Sequence, residues 1–278
     1  MKKYYVLYNP HAGRGIGEAE ARKLEETLGE IALTDMTKID DYAQFFANVQ
    51  EEEIVVCGGD GTLNRFINAA GDALQERAIS YYACGSGNDF MREVQIGDEK
   101  TVSLKGYIEN LPTVTVNDKT YRFINGIGFG IDGYCCEEGD KLRAATDKPI
   151  NYTGIAIKGL LFHYKPTDAT VIVDGKEYRF KKVWLAPTMN GKYYGGGMIP
   201  TPEQNRKDDT ISVMIFHGTG KLKSLMIFPS IFKGEHVKHT KHITVLSGKE
   251  ITVKYDSPRP LQIDGETISG VTEYTARK

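Results

Sequence analysis

The stretch VVCGGDGTLNR (residues 55–65) ends an aliphatic run with Gly58, Gly59 and Gly61 gathered around one carboxylate, Asp60. Glycine is costly to order, so such a cluster marks a backbone that takes φ > 0 or that another group approaches closely. Asp-Gly alone would fit a hairpin. The continuation LNRFINAA reads instead as the opening of a helix. Strand, glycine turn and helix in that order describe a phosphate-binding turn whose backbone N–H groups take the oxygens. Thr62 and Asn64 would add side-chain hydrogen bonds. Asp60 would be useful there by meeting Mg²⁺ or by orienting a neighbouring donor.

Two further glycine turns follow strand-like runs. NPHAGRGIG, after KYYVLY, carries Gly13, Gly15 and Gly17 into a helical pattern. CGSGNDF, residues 84–90, carries Ser86 and Asn88. Such turns at the carboxyl ends of successive parallel strands converge on one sheet edge, where open α/β sheets bind ligands. Gly-x-x-x-x-Gly-Lys-Ser/Thr is absent, which excludes a P-loop enzyme. Asp35 is poorly placed for the ribose acid of a dinucleotide fingerprint, which counts against a dehydrogenase. His236, His239 and His242 recur every third residue but lack a fourth zinc ligand.

These turns need a scaffold, and the first hundred residues supply a βαβαβαβ rhythm: KYYVLYN, EIALTDM, EIVVC and AISYYACG alternate with helical stretches. That rhythm predicts a parallel sheet covered by helices. Beyond residue 112 short alternating runs separated by Asp-Gly, Asn-Asp and Ser-Gly turns predict an antiparallel β-sandwich. Helical insertions are expected at 139–163 and 220–234. The division is therefore 1–112, an α/β nucleotide-binding domain, and 113–278, a β-sandwich domain. A return of the last ~10 residues to the first domain is compatible with this division.

The 278 residues carry 40% hydrophobic and 26% charged side chains at net charge −2. This describes a soluble globular protein and speaks against a nucleic-acid partner bound through overall basicity. The four cysteines lack metal spacing and read as reduced, largely buried thiols of a cytoplasmic protein. No apolar window approaches the roughly 20 residues of a membrane span.

GGDGTLN after an aliphatic strand, preceded by NPHAGRG and followed by GSGNDF, resembles the diacylglycerol kinase-type lipid kinases, bacterial members included. The likeness continues through FINGIGFGID (123–132), MNGKYYGGGMIPTP (189–202), DDTISV (208–213) and QIDGE (262–266). It implies an NAD kinase/phosphofructokinase-like first domain, a lipid-binding β domain, and transfer of phosphate from ATP with Mg²⁺ to a hydroxyl of a diacylglycerol-like lipid. Phosphatidic acid or a related phospholipid would be the product. An NAD kinase-like enzyme, or a non-catalytic lipid- or nucleotide-binding relative, is the alternative.

The resemblance also implies roles. Gly58, Gly59, Asp60, Gly61, Thr62, Leu63 and Asn64 would hold the ATP phosphates, with Thr34, Ser86 and Asn88 touching the nucleotide. Asp264 would accept the proton of the lipid hydroxyl, with Glu266 helping to hold the catalytic Mg²⁺ and Asp60 organising charge around the phosphates. Asp264-Gly265 is equally a hairpin-turn sequence. Asp209, with the carbonyls of Arg206 and Ile211, would bind a structural Mg²⁺. Two departures stand out: Arg65 replaces the family's usual glutamate, and Thr210 the glycine after Asp209.

A membrane-lipid substrate calls for contact with an anionic surface at the inner membrane face. Segments 151–166 and 219–242 set apolar runs among lysines and histidines and fit peripheral docking. Packing helices with solvated basic ends would look the same. A homodimer is compatible with the sequence.

Overall fold

A computed structural model of the chain describes residues 4–12, 15–49, 53–85, 87–146 and 150–278, and the backbone alone for Gln75, Glu76 and Thr153. The chain divides into two compact units, Met1–Leu111 and Pro112–Lys278.

In the first unit, β1 (Tyr4–Tyr8), β2 (Ile31–Asp35), β3 (Glu53–Gly58) and β4 (Ile79–Ala83) are parallel, in the spatial order β2-β1-β3-β4. A short β5 (Thr101–Ser103) closes the edge antiparallel to β4, so the sheet is mixed rather than wholly parallel. The helices are α1 (Gly17–Arg22), α2 (Glu25–Leu28), α3 (Tyr42–Asn48), α4 (Asp60–Ala70) and α5 (Asp89–Val94). The buried faces of β1 and β3 (Val6, Leu7, Val55, Val56) and of α4 (Leu63, Phe66, Ile67) form the centre of a core that α3, β4 and α5 extend with Tyr42, Phe46, Tyr81 and Phe90. The strand order reverses between β1 and β3, which opens a crevice at their carboxyl ends.

The second unit is antiparallel and sandwich-like. Its strands are β6 (Thr113–Val116), β7 (Lys119–Arg122), β8 (Gly126–Phe129), β9 (Thr167–Val173), β10 (Lys176–Val183), β11 (Thr188–Met189), β12 (Ile211–Phe216), β13 (Ile243–Gly248), β14 (Glu250–Ile263) and β15 (Glu266–Arg277). The long β14 pairs with β9 along its first half and with β8 at its end, and its register slips between Lys254 and Arg259. Such irregularities bend a strand and let one sheet fold into two layers. Val171, Val213, Ile215, Val253, Leu261 and Phe129 pack between those layers.

Two expectations are corrected here. The C-terminal residues do not return to the first unit: β15 lies in the second sheet, between β14 and β6. The first helical insertion starts at Ile131 rather than 139, as α6 (Ile131–Ala145), because Gly130 at φ 116° ends β8 abruptly. It continues as α7 (Tyr152–Lys158) and a π turn, Gly159–His163. The second insertion is α8 (Lys221–Ile227) with a 3₁₀ turn, Phe228–Lys233. Among the described residues no helix is long and apolar enough to cross a membrane.

Candidate functional site

In the first unit the chemistry gathers at the carboxyl ends of β3 and β4. The helix α4 begins at Asp60, so the last three residues of the GGDGT motif are helix, and N–H groups of its first turn, those of Gly61 and Thr62 included, point out along the axis. That end of a helix favours an anion. The glycines leave room for close backbone approach. A Cβ on Gly85 would stand 2.4 Å from the Gly59 Cα, and one on Gly58 would meet the Thr62 side chain at 2.4 Å. The two turns therefore touch backbone to backbone, which only glycine permits. Tyr81 Oη and the Cys84 N–H both donate to the Gly58 carbonyl, at 3.0 and 2.9 Å, and fix the end of β3.

Asp60 reaches across to the second turn. Its Oδ2 accepts from the Asp89 N–H and its Oδ1 from the Phe90 N–H, each at 2.9 Å. The carboxylate thus caps α5 and orients two backbone donors. Asn88, at φ 50°, closes its own loop: its Oδ1 accepts from Gly85 N and its Nδ2 donates to Gly85 O. Leu63 is fully buried and its N–H donates to Gly59 O, so it packs the helix. Thr62 and Asn64 are buried in α4, Thr34 lies in β2 opposite Leu7, and Arg65 is on the exposed face. Ser86, together with Gly13 and Arg14 of the first turn, lies outside the described residues. Cys57 and Cys84, one at each strand end, bring their sulfurs to 3.5 Å; this contact, followed by burial, pushes the Cys57 thiol up, while Cys84 is lowered.

In the second unit Asp264 and Gly265 form the two-residue turn between β14 and β15, with φ 46° and 96°. Both angles positive is the hairpin geometry that Asp-Gly favours. The same aspartate is 8% exposed, and its carboxylate accepts three backbone N–H groups: Ile124 at 2.6 Å, Asn125 at 2.9 Å and Gly126 at 2.9 Å. Two buried side chains hold that loop from behind. Asn190 Nδ2 and Arg206 Nη1 both donate to the Ile124 carbonyl, at 2.9 and 3.0 Å. Glu266 opens β15, half-buried.

The residues implied for a structural Mg²⁺ do not fit a divalent cation. Asp209 is exposed and paired with Lys249 Nζ at 2.8 Å, a hydrogen bond that lowers its pKa. The Arg206 carbonyl accepts from Lys278 Nζ at 3.1 Å, and the same ammonium donates to Asn190 Oδ1 at 2.9 Å. Burial and then the Arg206 guanidinium lower the Lys278 pKa, opposed by Asp208 and Asp209. Ile211 is the first residue of β12, paired with Gly248. Two of the three groups are thus occupied by lysines. His236 is likewise used internally, its Nε2 lying 2.8 Å from the Pro200 carbonyl.

One acid was not singled out by its sequence. Asp132, at the start of α6, is buried, and neither oxygen makes a hydrogen bond of ordinary geometry, although Tyr194 and Gln262 lie beside it. Burial pushes its pKa up to about 6. A Cβ on Gly128 would stand 1.6 Å from Asp132 Oδ2, so that glycine makes room for the carboxyl. The signal was FGID, an acid set directly after a run of small and apolar residues.

The α/β unit thus carries a glycine crevice at a helix N-terminus, and the antiparallel β unit a carboxylate cradled by backbone N–H groups. Comparison with known proteins agrees with both halves. Residues 3–115 match the diacylglycerol kinase catalytic domain, and residues 125–276 match the YegS C-terminal NAD kinase beta sandwich-like domain. The chain belongs to the diacylglycerol kinase-type family of lipid kinases. It is 23% identical to a Bacillus subtilis protein provisionally named lipid kinase YtlR, over 99% of this chain and 96% of that one. It is 24% identical to the diacylglycerol kinase of the same organism, over 96% and 90%. The crystal structure of a provisionally assigned diacylglycerol kinase from Bacillus anthracis shares the fold, with a TM-score of 0.69 at 20% identity, covering 99% of this chain and 91% of that one.

Proposed function

We propose that this chain transfers the γ-phosphoryl group of ATP to a hydroxyl of a diacylglycerol-like lipid, with Asp264 as the proton acceptor. The observation that carries the reading is the Asp264 carboxylate, buried and aimed by three backbone N–H groups. A base so held keeps its orientation without side-chain reorganisation, which is most of what phosphoryl transfer asks of a protein. The backbone of Gly58 and Gly59 and the first turn of α4 hold the phosphates, and Asp60 keeps the neighbouring turn in place. Mg²⁺ bound with the nucleotide would neutralise phosphate charge, with Glu266 available to help hold it. As the lipid hydroxyl attacks the γ-phosphorus, its proton passes to Asp264, the bond to the β-phosphate oxygen breaks, and ADP leaves.

The acceptor would be met at an anionic bilayer. Phe162 of the π turn and Leu222 and Met226 of α8 are 72–75% exposed. Lys158, Lys165, Lys221 and Lys223 flank them, and Lys221 Nζ ties the two elements by donating to the Leu161 carbonyl at 2.7 Å. Exposed apolar side chains ringed by ammonium groups suit the headgroup boundary of anionic lipid.

The test is ATP-dependent phosphate transfer to diacylglycerol, monoacylglycerol, ceramide and sphingosine in anionic mixed micelles, with NAD alongside. Transfer to one lipid, lost in Asp264→Asn, supports the reading. Transfer to NAD alone would replace it with the NAD kinase-like alternative. Leu222→Ser/Met226→Ser should reduce sedimentation with phosphatidylglycerol vesicles; unchanged binding would remove α8 as the docking face.

A further inference from the structure

The loop that should hold a divalent ion holds an ammonium instead. We propose that Lys278 is this chain's built-in cation for the 204–211 loop, and that through Asn190 and Arg206 it positions the segment that cradles Asp264. The connection is continuous. Lys278 Nζ donates to Asn190 Oδ1 and to the Arg206 carbonyl. Asn190 Nδ2 and Arg206 Nη1 donate to the Ile124 carbonyl, and Arg206 Nη2 donates to Asn125 Oδ1 at 3.3 Å. The N–H groups of Ile124, Asn125 and Gly126 then donate to Asp264.

Charge explains why the ammonium excludes a metal. Mg²⁺ needs near-octahedral oxygen ligation, and Ca²⁺ six to eight oxygens. Here the Arg206 carbonyl and the Asn190 amide oxygen already point at Nζ. A divalent ion added beside it would be repelled by the Lys278 ammonium and by the Arg206 guanidinium. Of the two carboxylates near Lys278, Asp208 and Asp209, the second faces Lys249 and is 73% exposed. An ammonium has three donors and no need of octahedral geometry, so two oxygens and partial burial suffice for it.

The positioning half of this inference rests on the kinase reading; the replacement of the ion does not. The melting temperature of the full, nucleotide-free chain is therefore measured first, after EDTA and again in millimolar MgCl₂ or CaCl₂. Wild type should shift by less than about 1 °C, whereas Lys278→Met should melt about 4–8 °C lower, with most of the loss restored in Lys278→Arg. A metal-dependent rise in wild type that disappears in Asp209→Asn would overturn the replacement, as would an unchanged melting temperature in Lys278→Met. Kinetics then test positioning. In Lys278→Met kcat should fall roughly tenfold with KM for ATP unchanged, and Lys278→Arg should recover it, since small displacements of a reacting group cost up to about 10²-fold. An unaltered kcat would overturn the positioning role. Should Lys278→Met fail to fold, the metal response of wild type and the kcat of Lys278→Arg still decide. If wild type transfers phosphate to no acceptor, the kinase reading fails while the melting data continue to judge the ion.

Discussion

Asp60 and Asp264 are two buried or half-buried aspartates doing similar backbone work for different ends. Each follows a strand, each stands beside glycine, and each carboxylate collects N–H groups from a segment far along the chain. Asp60 receives the first N–H groups of α5, the next helix of the same sheet. It is a clamp between two glycine turns. Asp264 receives a loop some 140 residues away that is itself braced by Asn190, Arg206 and Lys278. The difference lies in what stands behind the donors. Behind Asp60 is one short helix whose own dipole welcomes the charge. Behind Asp264 is a layered network that fixes the oxygens with no helix at all.

The largest effect that would break this contrast is catalytic. Asp264→Asn should lower kcat for phosphate transfer by about 10²–10⁴-fold, the usual worth of a positioned base, with little change in nucleotide affinity. Asp60→Asn should do the reverse. It turns an acceptor into a group half donor, opposite two N–H groups, and should loosen the turns, weakening nucleotide binding and costing about 1.5–3 kcal/mol of stability. Equal kcat losses in both variants, with nucleotide affinity intact, would make Asp60 part of the chemistry and the clamp description wrong.

How far each region could be read from the sequence follows from the same difference. The β3–GGDGT–α4 order is local: an aliphatic run, three glycines and a helical pattern in immediate succession, so the crevice was legible. What was not legible was that Gly59 and Gly85 need their space for each other, because nothing in either turn names its partner. Asp264-Gly265 was legible as a turn, and the family likeness marked it for catalysis. Its cradle was not, since Ile124, Asn125 and Gly126 act through backbone N–H groups that every residue but proline carries. The early start of α6 was hidden because Gly126, Gly128, Gly130 and Gly133 interrupt any helical pattern there. The antiparallel β5 was missed because three residues give no period to detect. The metal loop misled for a related reason: Asp209 has the right identity, but the lysines that occupy its neighbourhood come from positions 249 and 278.

Asp132 sharpens the comparison with a third aspartate, one whose oxygens make no hydrogen bond of ordinary geometry. Its pKa stands at about 6 in the folded chain against an ordinary 3.8. The folded state therefore keeps a proton that the unfolded chain has released, and stability falls as pH rises from about 4 to about 6, then levels. The total is about 3 kcal/mol. Asp132→Asn should abolish that slope, matching wild type near pH 4 and exceeding it at pH 8. Urea unfolding at both pH values checks this; an unchanged slope would place the titration elsewhere. Next in size is Gly85→Ala. Its Cβ would press on the Gly59 backbone, which cannot move aside as a side chain can, and overpacking of this kind costs about 1–3 kcal/mol. Calorimetry should show the loss and nucleotide titration a weakened affinity. A neutral result would mean the two turns have slack between them.

Gly265 gives the smallest effect and the cleanest separation of the two uses of glycine. It sits at φ 96° with nothing within 4 Å of a would-be Cβ, so the residue is there for its angle and not for space. Gly265→Ala should cost about 1 kcal/mol, the penalty of a side chain in the left-handed region. Gly265→Asn should cost less, because asparagine tolerates that region and keeps the N–H that donates to Gln262 Oε1 at 2.6 Å. The ranking Gly, Asn, Ala in melting temperature is the expected outcome. If alanine were as damaging here as at Gly85, the turn would be confined by neighbours as the glycine crevice is. The two regions would then differ in their donors but not in how tightly their glycines are held.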